Sequence, residues 1–316
     1  MQVGDVIVVV RNGSRSLIGK HAPINREMPN TVIGAFMTGL RSPSPKFLKA
    51  LLDTQQFNVE IHKNLGATIN QITTGEFKRM HFTVPTDEDE KEKIGSLFRQ
   101  LDDIIALHQR KLDQLKELKK AYLQVMFPAK DERVPKLRFA DFEGEWEQCK
   151  LEDLANKYNN LRIPITASKR IYGNTPYYGA NGIQDFVEGY THDGEFILVA
   201  EDGASNLKDY PVQYVNGKVW VNNHAHVLQA KRSKADNKFL MNAIKSINIE
   251  PFLVGGGRSK LNSEVMMNLE INTPSKDEQL KISTLCKQLD DITALYQNKL
   301  NQLKNLKKSY LQNMFI

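Results

Sequence analysis

Few residues of this 316-residue chain stand at spacings suited to covalent chemistry. His224 and His226 are one residue apart, which on a strand puts both on one face, as a pair of metal ligands requires. No cysteine or third histidine stands nearby, so packing or a ligand contact is the better reading. Cys149 and Cys286 are far apart and fit no metal or redox spacing; they read as isolated reduced thiols of a cytosolic protein. Gly255-Gly256-Gly257-Arg258-Ser259-Lys260 is glycine-rich like a phosphate loop. It lacks the Gly-Lys-Ser/Thr ending that sets a lysine on the phosphates. Asp202-Gly203 resembles a catalytic turn, but the same strand-turn pattern recurs as Asn12-Gly13, where the acid is an amide, so a tight turn is expected. Tyr177 and Tyr178 could stack on a flipped base. Yet no S-adenosylmethionine-type glycine loop follows a strand, and no Asn-Pro-Pro-Tyr-type string occurs. No nucleophile, base and orienting group come together, and an independent enzyme is the least supported class.

The elements that must position any site come twice. Leu97 to Phe127 reads LFRQLDDIIALHQRKLDQLKELKKAYLQVMF, and Leu285 to Phe315 reads LCKQLDDITALYQNKLNQLKNLKKSYLQNMF, with no gap and the same residue at most positions. A repeat of so long a period is no solenoid. It implies two copies of a unit, each a globular segment followed by a long amphipathic helix. The first helix places Leu97, Leu101, Ile104, Leu112, Leu115, Leu118 and Tyr122 on one seam; the second places Leu285, Leu289, Ile292, Leu300, Leu303, Leu306 and Tyr310 there. His108 and Tyr296 fill equivalent seam positions and read as packing residues. From Glu90 to Phe127 such a helix spans roughly 55 Å. Thr86 with Asp89 and Ser275 with Glu278 read as capping boxes.

Elsewhere the punctuation predicts a strand at Val6–Val10, a helix at Lys46–Phe57 and a short strand at Met80–Val84 stopped by Pro85. A polar linker follows at 128–136. Trp146–Asn156 reads as a strand or helix entry, Ile171–Asp185 as loop and Phe196–Ala200 as a strand. Val212–Tyr214 and Lys218–Val221 flank Asn216-Gly217 as a hairpin. Lys238–Ser246 reads as a helix and Leu269–Ile271 as a strand. The repeat continues faintly outside the helices: Gly4 to Gly13 lines up with Gly194 to Gly203, and Pro85 with Pro274. The expected domains are 1–85, a helix at 86–127, a linker at 128–136, 137–274, and a helix at 275–316.

Composition is that of a folded soluble protein, with 41% hydrophobic and 25% charged residues. Net charge is +6 and pI about 9.0, which favours a polyanionic partner weakly. No apolar run approaches the ~20 residues of a membrane span, and the Asp5-containing start reads as a strand rather than a signal peptide.

Several strings together carry a family resemblance. They are the KKxYLQxMF helix ends, LRFADFEGEWEQCKL (Leu137 to Leu151), YGNTPYYGANGIQDFV (Tyr172 to Val187), ILVAEDGAS (Ile197 to Ser205) and TPSKDEQLKI (Thr273 to Ile282). The chain resembles the DNA-specificity subunit of type I restriction–modification enzymes over nearly its whole length. The resemblance implies an α+β protein: two α/β target-recognition domains joined by two long antiparallel spacer helices with an internal pseudo-two-fold repeat. It implies a cytoplasmic, non-catalytic subunit that reads a split double-stranded DNA target. Two methyltransferase subunits would dock on it, with restriction/translocase subunits joining indirectly. S-adenosylmethionine, ATP and magnesium would be used by those partners, and no cofactor or metal by this chain. A non-reading scaffold that joins partners through its helix pair is the alternative. One departure stands out: the block matching Leu137 to Asp193 has no counterpart before Gly4, so the first recognition domain is expected to read poorly unless another chain completes it.

Base edges are read by planar donors and acceptors, phosphates by Lys, Arg, Ser, Thr and loop amides. The expected contacts in the second unit are Tyr177, Tyr178, Asn181, Ser205, Asn206, Lys208, Asn223, His224, Arg258, Ser259, Lys260 and Asn262, with the Arg258–Asn262 string the best single candidate. In the first they are Arg11, Asn12, Ser14, Arg15, Lys20 and Asn70.

Overall fold

The computed structural model describes residues 1–65, 70–256 and 259–315. The chain forms two compact units: Met1–Asp113 with the segment from Ala294 onward, and Gln114–Thr293. Each of the two long helices, α4 and α8 below, gives one part to each unit.

In the first unit, β1 (Val6–Val9) is central in a three-stranded antiparallel sheet, flanked by β2 (His21–Pro23) and β3 (Met37–Leu40). Val6 and Val8 point into a core with Ile18, Leu52, Phe57, Ile61 and Ile72, as the alternation of a half-buried strand requires. The helix expected at Lys46–Phe57 is two: α1 (Pro45–Leu52) and α2 (Gln55–Asn64). Thr54 breaks them apart by accepting the Phe57 amide as the cap of α2, the usual role of a threonine hydroxyl at an orphan N–H. Helix α3 (Thr74–Lys78) carries a complete capping box from Thr73 and Glu76. Asp87, not Thr86, accepts the Asp89 amide where α4 (Glu88–Met126) begins.

In the second unit, β4 (Glu147–Lys150), α5 (Leu151–Leu154) and β5 (Ala155–Lys157) form the entry. The segment expected as loop is a hairpin, β6 (Tyr172–Gly179) and β7 (Gly182–Val187). Its glycines serve close approach rather than looping: a Cβ on Gly173 would lie 2.5 Å from the backbone at Val187 and Glu188. The hairpin expected at Asn216-Gly217 is instead mid-strand. β9 (Val212–Val221) runs on because β8 (His192–Ala200) supplies a partner from Val212 to Val219, with Gly217 opposite Gly194. Both glycines take positive φ, which glycine adopts at no steric cost, and the register continues through them without a break. With β10 (Ala225–Ala230) the sheet order is β5-β10-β8-β9-β6-β7. Helix α6 (Asn237–Ser246) lies over it, capped by Asp236, and the short β11 (Leu253–Val254) and β12 (Lys260–Leu261) precede α7 (Ser263–Met267). β13 (Glu270–Thr273) pairs with β4, and α8 (Lys276–Asn313) follows. Ser275 accepts the Glu278 amide. The Glu278 carboxylate goes to Arg138, so the expected box is half formed.

The helices are antiparallel, and repeat-related residues show it. In the first unit Lys307 donates to Asp102 at 2.5 Å; in the second Lys119 donates to Asp290 at 2.5 Å. Lys119 and Lys307 hold the same place in the repeat, as do Asp102 and Asp290, so one ion pair is made twice with the helices exchanged. The seam is narrower than expected. Leu101, Leu112, Leu115, Leu289 and Leu300 are buried; Leu97, Tyr122, Leu285 and Leu303 are half-buried. Ile104, Leu118, Ile292, Leu306 and Tyr310 are exposed, because a helix pair covers one thin stripe of each member and these residues fall on its shoulder. His108 and Tyr296 meet with ring centroids 5.5 Å apart.

The strand repeat is also one residue off the expected alignment. Val9 bonds to the Lys20 carbonyl as Ala200 bonds to that of Pro211, and Ile72 bonds to Val10 as Leu261 bonds to Glu201. Arg11 therefore matches Asp202, and the turn argument from Asn12 does not hold. Met80–Val84, expected as a strand, is not one. Its counterpart β13 is a strand because β4 pairs with it, and no such partner lies against Met80–Val84 among the described residues.

Candidate nucleic-acid interface

Four loops of the second unit meet at the end of β8. The Asn181 amide donates to the Gly203 carbonyl at 2.9 Å, and its oxygen accepts the Ser205 amide at 2.7 Å, which ties the β6–β7 turn to the loop after β8. His224 and Asp202 meet at 2.6 Å, and Asp202 bridges Lys260 through the backbone. Buried Asn222 holds the next loop by accepting the His224 amide. Beneath lies Glu201, bonded by Arg162 at 2.6 Å and by Lys260 at 2.9 Å. Burial pushes the Glu201 carboxyl up, but these cations and nearby His226 outweigh it and hold it below the usual range.

The first unit repeats the plan with different side chains. Asn12 accepts the Ser14 amide at 2.9 Å, and the Asn70 amide donates to the Gly13 carbonyl at 3.0 Å. Arg11 bridges Gln71 and sets its guanidinium 5.1 Å from the Phe36 ring centroid. Arg15 and Lys20 are exposed beside them.

Residues 4–117 and 143–305 match the family model for the type I restriction modification DNA specificity domain. The chain belongs to this family. It is 46% identical over 153 residues, 48% of this chain and 38% of the relative, to a Haemophilus influenzae protein bearing the name of a type I restriction enzyme specificity subunit. It is 25% identical over 139 residues, 44% of this chain and 32% of the relative, to the EcoprrI specificity subunit of Escherichia coli. It thus spans about two-fifths and one-third of the lengths of these two relatives. The solved S subunit of a type I system from M. genitalium superposes with a TM-score of 0.73 at 16% identity, covering 99% of this chain and 83% of that one; the likeness is one of fold.

For a member of the specificity family, the expected contact residues of the second unit differ in where they stand. Asn181, Ser205, Asn206, Lys208, Asn223 and Asn262 are exposed, and Ser259 is half-buried, on or beside the converging loops. Lys260 and His224 stand there too, engaged with Glu201 and Asp202. Tyr177 belongs to the core instead: it is 1% exposed, its hydroxyl bonds to Ile165, and Arg170 covers its ring at 4.1 Å. Tyr178 is half-buried against Val221 and its neighbours. Arg258 lies outside the described residues. His226 is fully buried between Asn159 and the Leu261 carbonyl, a packing histidine whose pKa burial lowers. Arg162 and Arg170 escaped sequence reasoning because isolated arginines in irregular chain carry no spacing signal. Among the described residues no group of three or more His, Cys, Asp or Glu could hold a metal ion, and no helix is long and apolar enough to cross a membrane.

Proposed function

We propose that this chain is the DNA-reading subunit of a type I restriction–modification assembly, that its two units read separated parts of one duplex, and that chemistry resides in its partners. The observation that carries the reading is the convergence of donor-rich loops at the end of β8, with the same strand-end plan rebuilt from different side chains around Asn12 and Asn70. A common frame with divergent tips suits two readers of different sequence. Each helix, at about 58 Å for α4, exceeds the ~34 Å major-groove repeat, long enough to serve as a ruler between half-sites. A chain of this kind holds no cofactor; S-adenosylmethionine, ATP and magnesium belong to the methyltransferase and translocase.

The partner reading rests on exposed apolar side chains. Ile104 and Leu107 are 42% and 57% exposed, and their repeat counterparts Ile292 and Leu295 are 41% and 63% exposed. The same apolar residues left open twice fit two identical methyltransferase subunits. The test is DNA binding by the complex with methyltransferase across a salt series. Affinity should fall steeply with salt, and Asn181→Ala with Lys260→Ala should weaken binding with partner docking intact. Salt-insensitive or absent DNA binding would favour the pure scaffold.

A further inference from the structure

In the second unit Tyr214 of β9 fills a niche beside α6. Its ring packs against the main core, and the Lys238 ammonium lies 5.1 Å from the ring centroid. Burial, and then the Glu195 carboxylate facing its hydroxyl, push the phenol up to about 12.

The first unit builds the same niche and leaves it open. Strand register pairs Val6 with Pro23 as it pairs Ile197 with Tyr214, so a proline stands at the tyrosine's place. Gly4, two residues before Val6, stands at the place of Glu195, two before Ile197. Helix α1 matches α6: Phe47 stacks on Phe315 as Phe239 does on Phe127, at 5.6 Å and 29° in both, which puts Lys46 at the place of Lys238. Where the second unit holds a tyrosine and a glutamate, the first holds a cavity of about 280 Å³. Val3, Pro23, Ile24, Pro45, Ala50 and Phe98 give it apolar walls, and Lys46 lines it. An apolar cavity of ~150 Å³ already admits benzene, so an aromatic ring fits with room for a short substituent.

The mouth carries charge. Arg99 and Asp103 line the cavity, both are exposed, and neither forms an ion pair among the described residues. They stand one turn apart on α4, so their side chains emerge on one side of the helix. The other cations of the lining are engaged: Lys46 with Glu92, and Lys49 with Asp53 and Asp102. One cation and one anion are left at the mouth, the complement of a zwitterion. Gly4 offers no carboxylate where Glu195 meets a hydroxyl, so a plain phenyl ring matches the open niche better than a phenol.

We propose that this cavity is a binding site for a free aromatic amino acid of the phenylalanine type. The phenyl ring takes the place that Tyr214 fills in the second unit, beside the Lys46 ammonium. The ligand carboxylate pairs with Arg99 and its ammonium with Asp103.

Calorimetric titration of the full chain with L-phenylalanine should show saturable binding of one molecule per chain. Pro23→Tyr, which supplies the second unit's own ring, should abolish it without lowering the melting temperature. Arg99→Ala, an exposed change that leaves the cavity walls intact, should weaken binding about tenfold or more. N-acetyl-L-phenylalaninamide, which keeps the ring and lacks both charges, should bind the unaltered chain correspondingly less. No saturable binding, affinity undiminished by Pro23→Tyr or by Arg99→Ala, or equal affinity for the uncharged amide would each overturn the proposal.

Discussion

Gly95 decides how closely α1 approaches α4. A Cβ there would stand 2.5 Å from the Phe47 amide nitrogen and 2.8 Å from the Lys46 carbonyl carbon. Its repeat counterpart Ser283 keeps a side chain and uses it, donating to Asp236 at 2.6 Å. Gly95→Ala should destabilise the first unit by about 1–3 kcal/mol through overpacking, seen as faster hydrogen exchange in α1 with the second unit unchanged. Exchange unaltered at both would show that the helices shift apart freely.

Asp53 gives a pH prediction at the same scale. Burial pushes its carboxyl up, yet bonds from His21, Lys49 and Lys307 outweigh that and hold it well below the ordinary carboxylate value. Its folded pKa is thus depressed, so its contribution to stability is complete above the unfolded value of about 3.9 and disappears as pH falls below it. The first unit should lose stability below about pH 4, and Asp53→Asn should flatten that loss while lowering stability at neutral pH. An acid limb of the same slope in the variant would contradict the assignment.

At the scale of elements, the twice-made ion pair has unequal strength. Lys119 meets an Asp290 whose side chain is 47% exposed, whereas Lys307 lies between Asp53 and Asp102 and is itself 16% exposed. Lys119→Ala should cost less than about 1 kcal/mol. Lys307→Ala should cost about 2 kcal/mol or more, because it strands a largely buried Asp53. Denaturant titration of the two variants compares them directly, and equal costs would be contrary to this account. The helices also separate packing from docking. Leu112→Ala or Leu300→Ala should cost about 2–5 kcal/mol, whereas Leu107→Ala with Leu295→Ala should leave stability near its starting value and weaken methyltransferase binding.

The helices were legible because their apolar spacing persists over many turns, and their pairing because the repeat is nearly gap-free. The seam width was not: whether Ile104 or Leu118 is covered depends on the partner helix, which periodicity does not contain. Ile171–Asp185 read as loop because glycines that permit close strand contact look like glycines that permit turns. Asn216-Gly217 read as a turn because the pairing with Glu195 and Gly194 is long-range information. Met80–Val84 had the residues of a strand, and no strand pairs with it among the described residues. At the candidate interface the segments following β8 and β9 were legible as loops by composition, whereas the β6–β7 hairpin, the burial of Tyr177 and the Arg162–Glu201–Lys260 cluster arise only from folding.

For the whole molecule, one frame built twice explains why helices, core aromatics and ion pairs recur while loop tips diverge. Sequence reading should then reside in the tips and partner docking in the repeated helices. The most direct measurement is a genome-wide map of adenine methylation by this chain with its methyltransferase, alongside the Asn181→Ala, Lys260→Ala variant. The account predicts modification confined to a defined motif whose two parts are separated by unspecified bases, with relaxed base preference in one part for the variant. Methylation without sequence preference, or a motif and efficiency untouched by the variant, would contradict it.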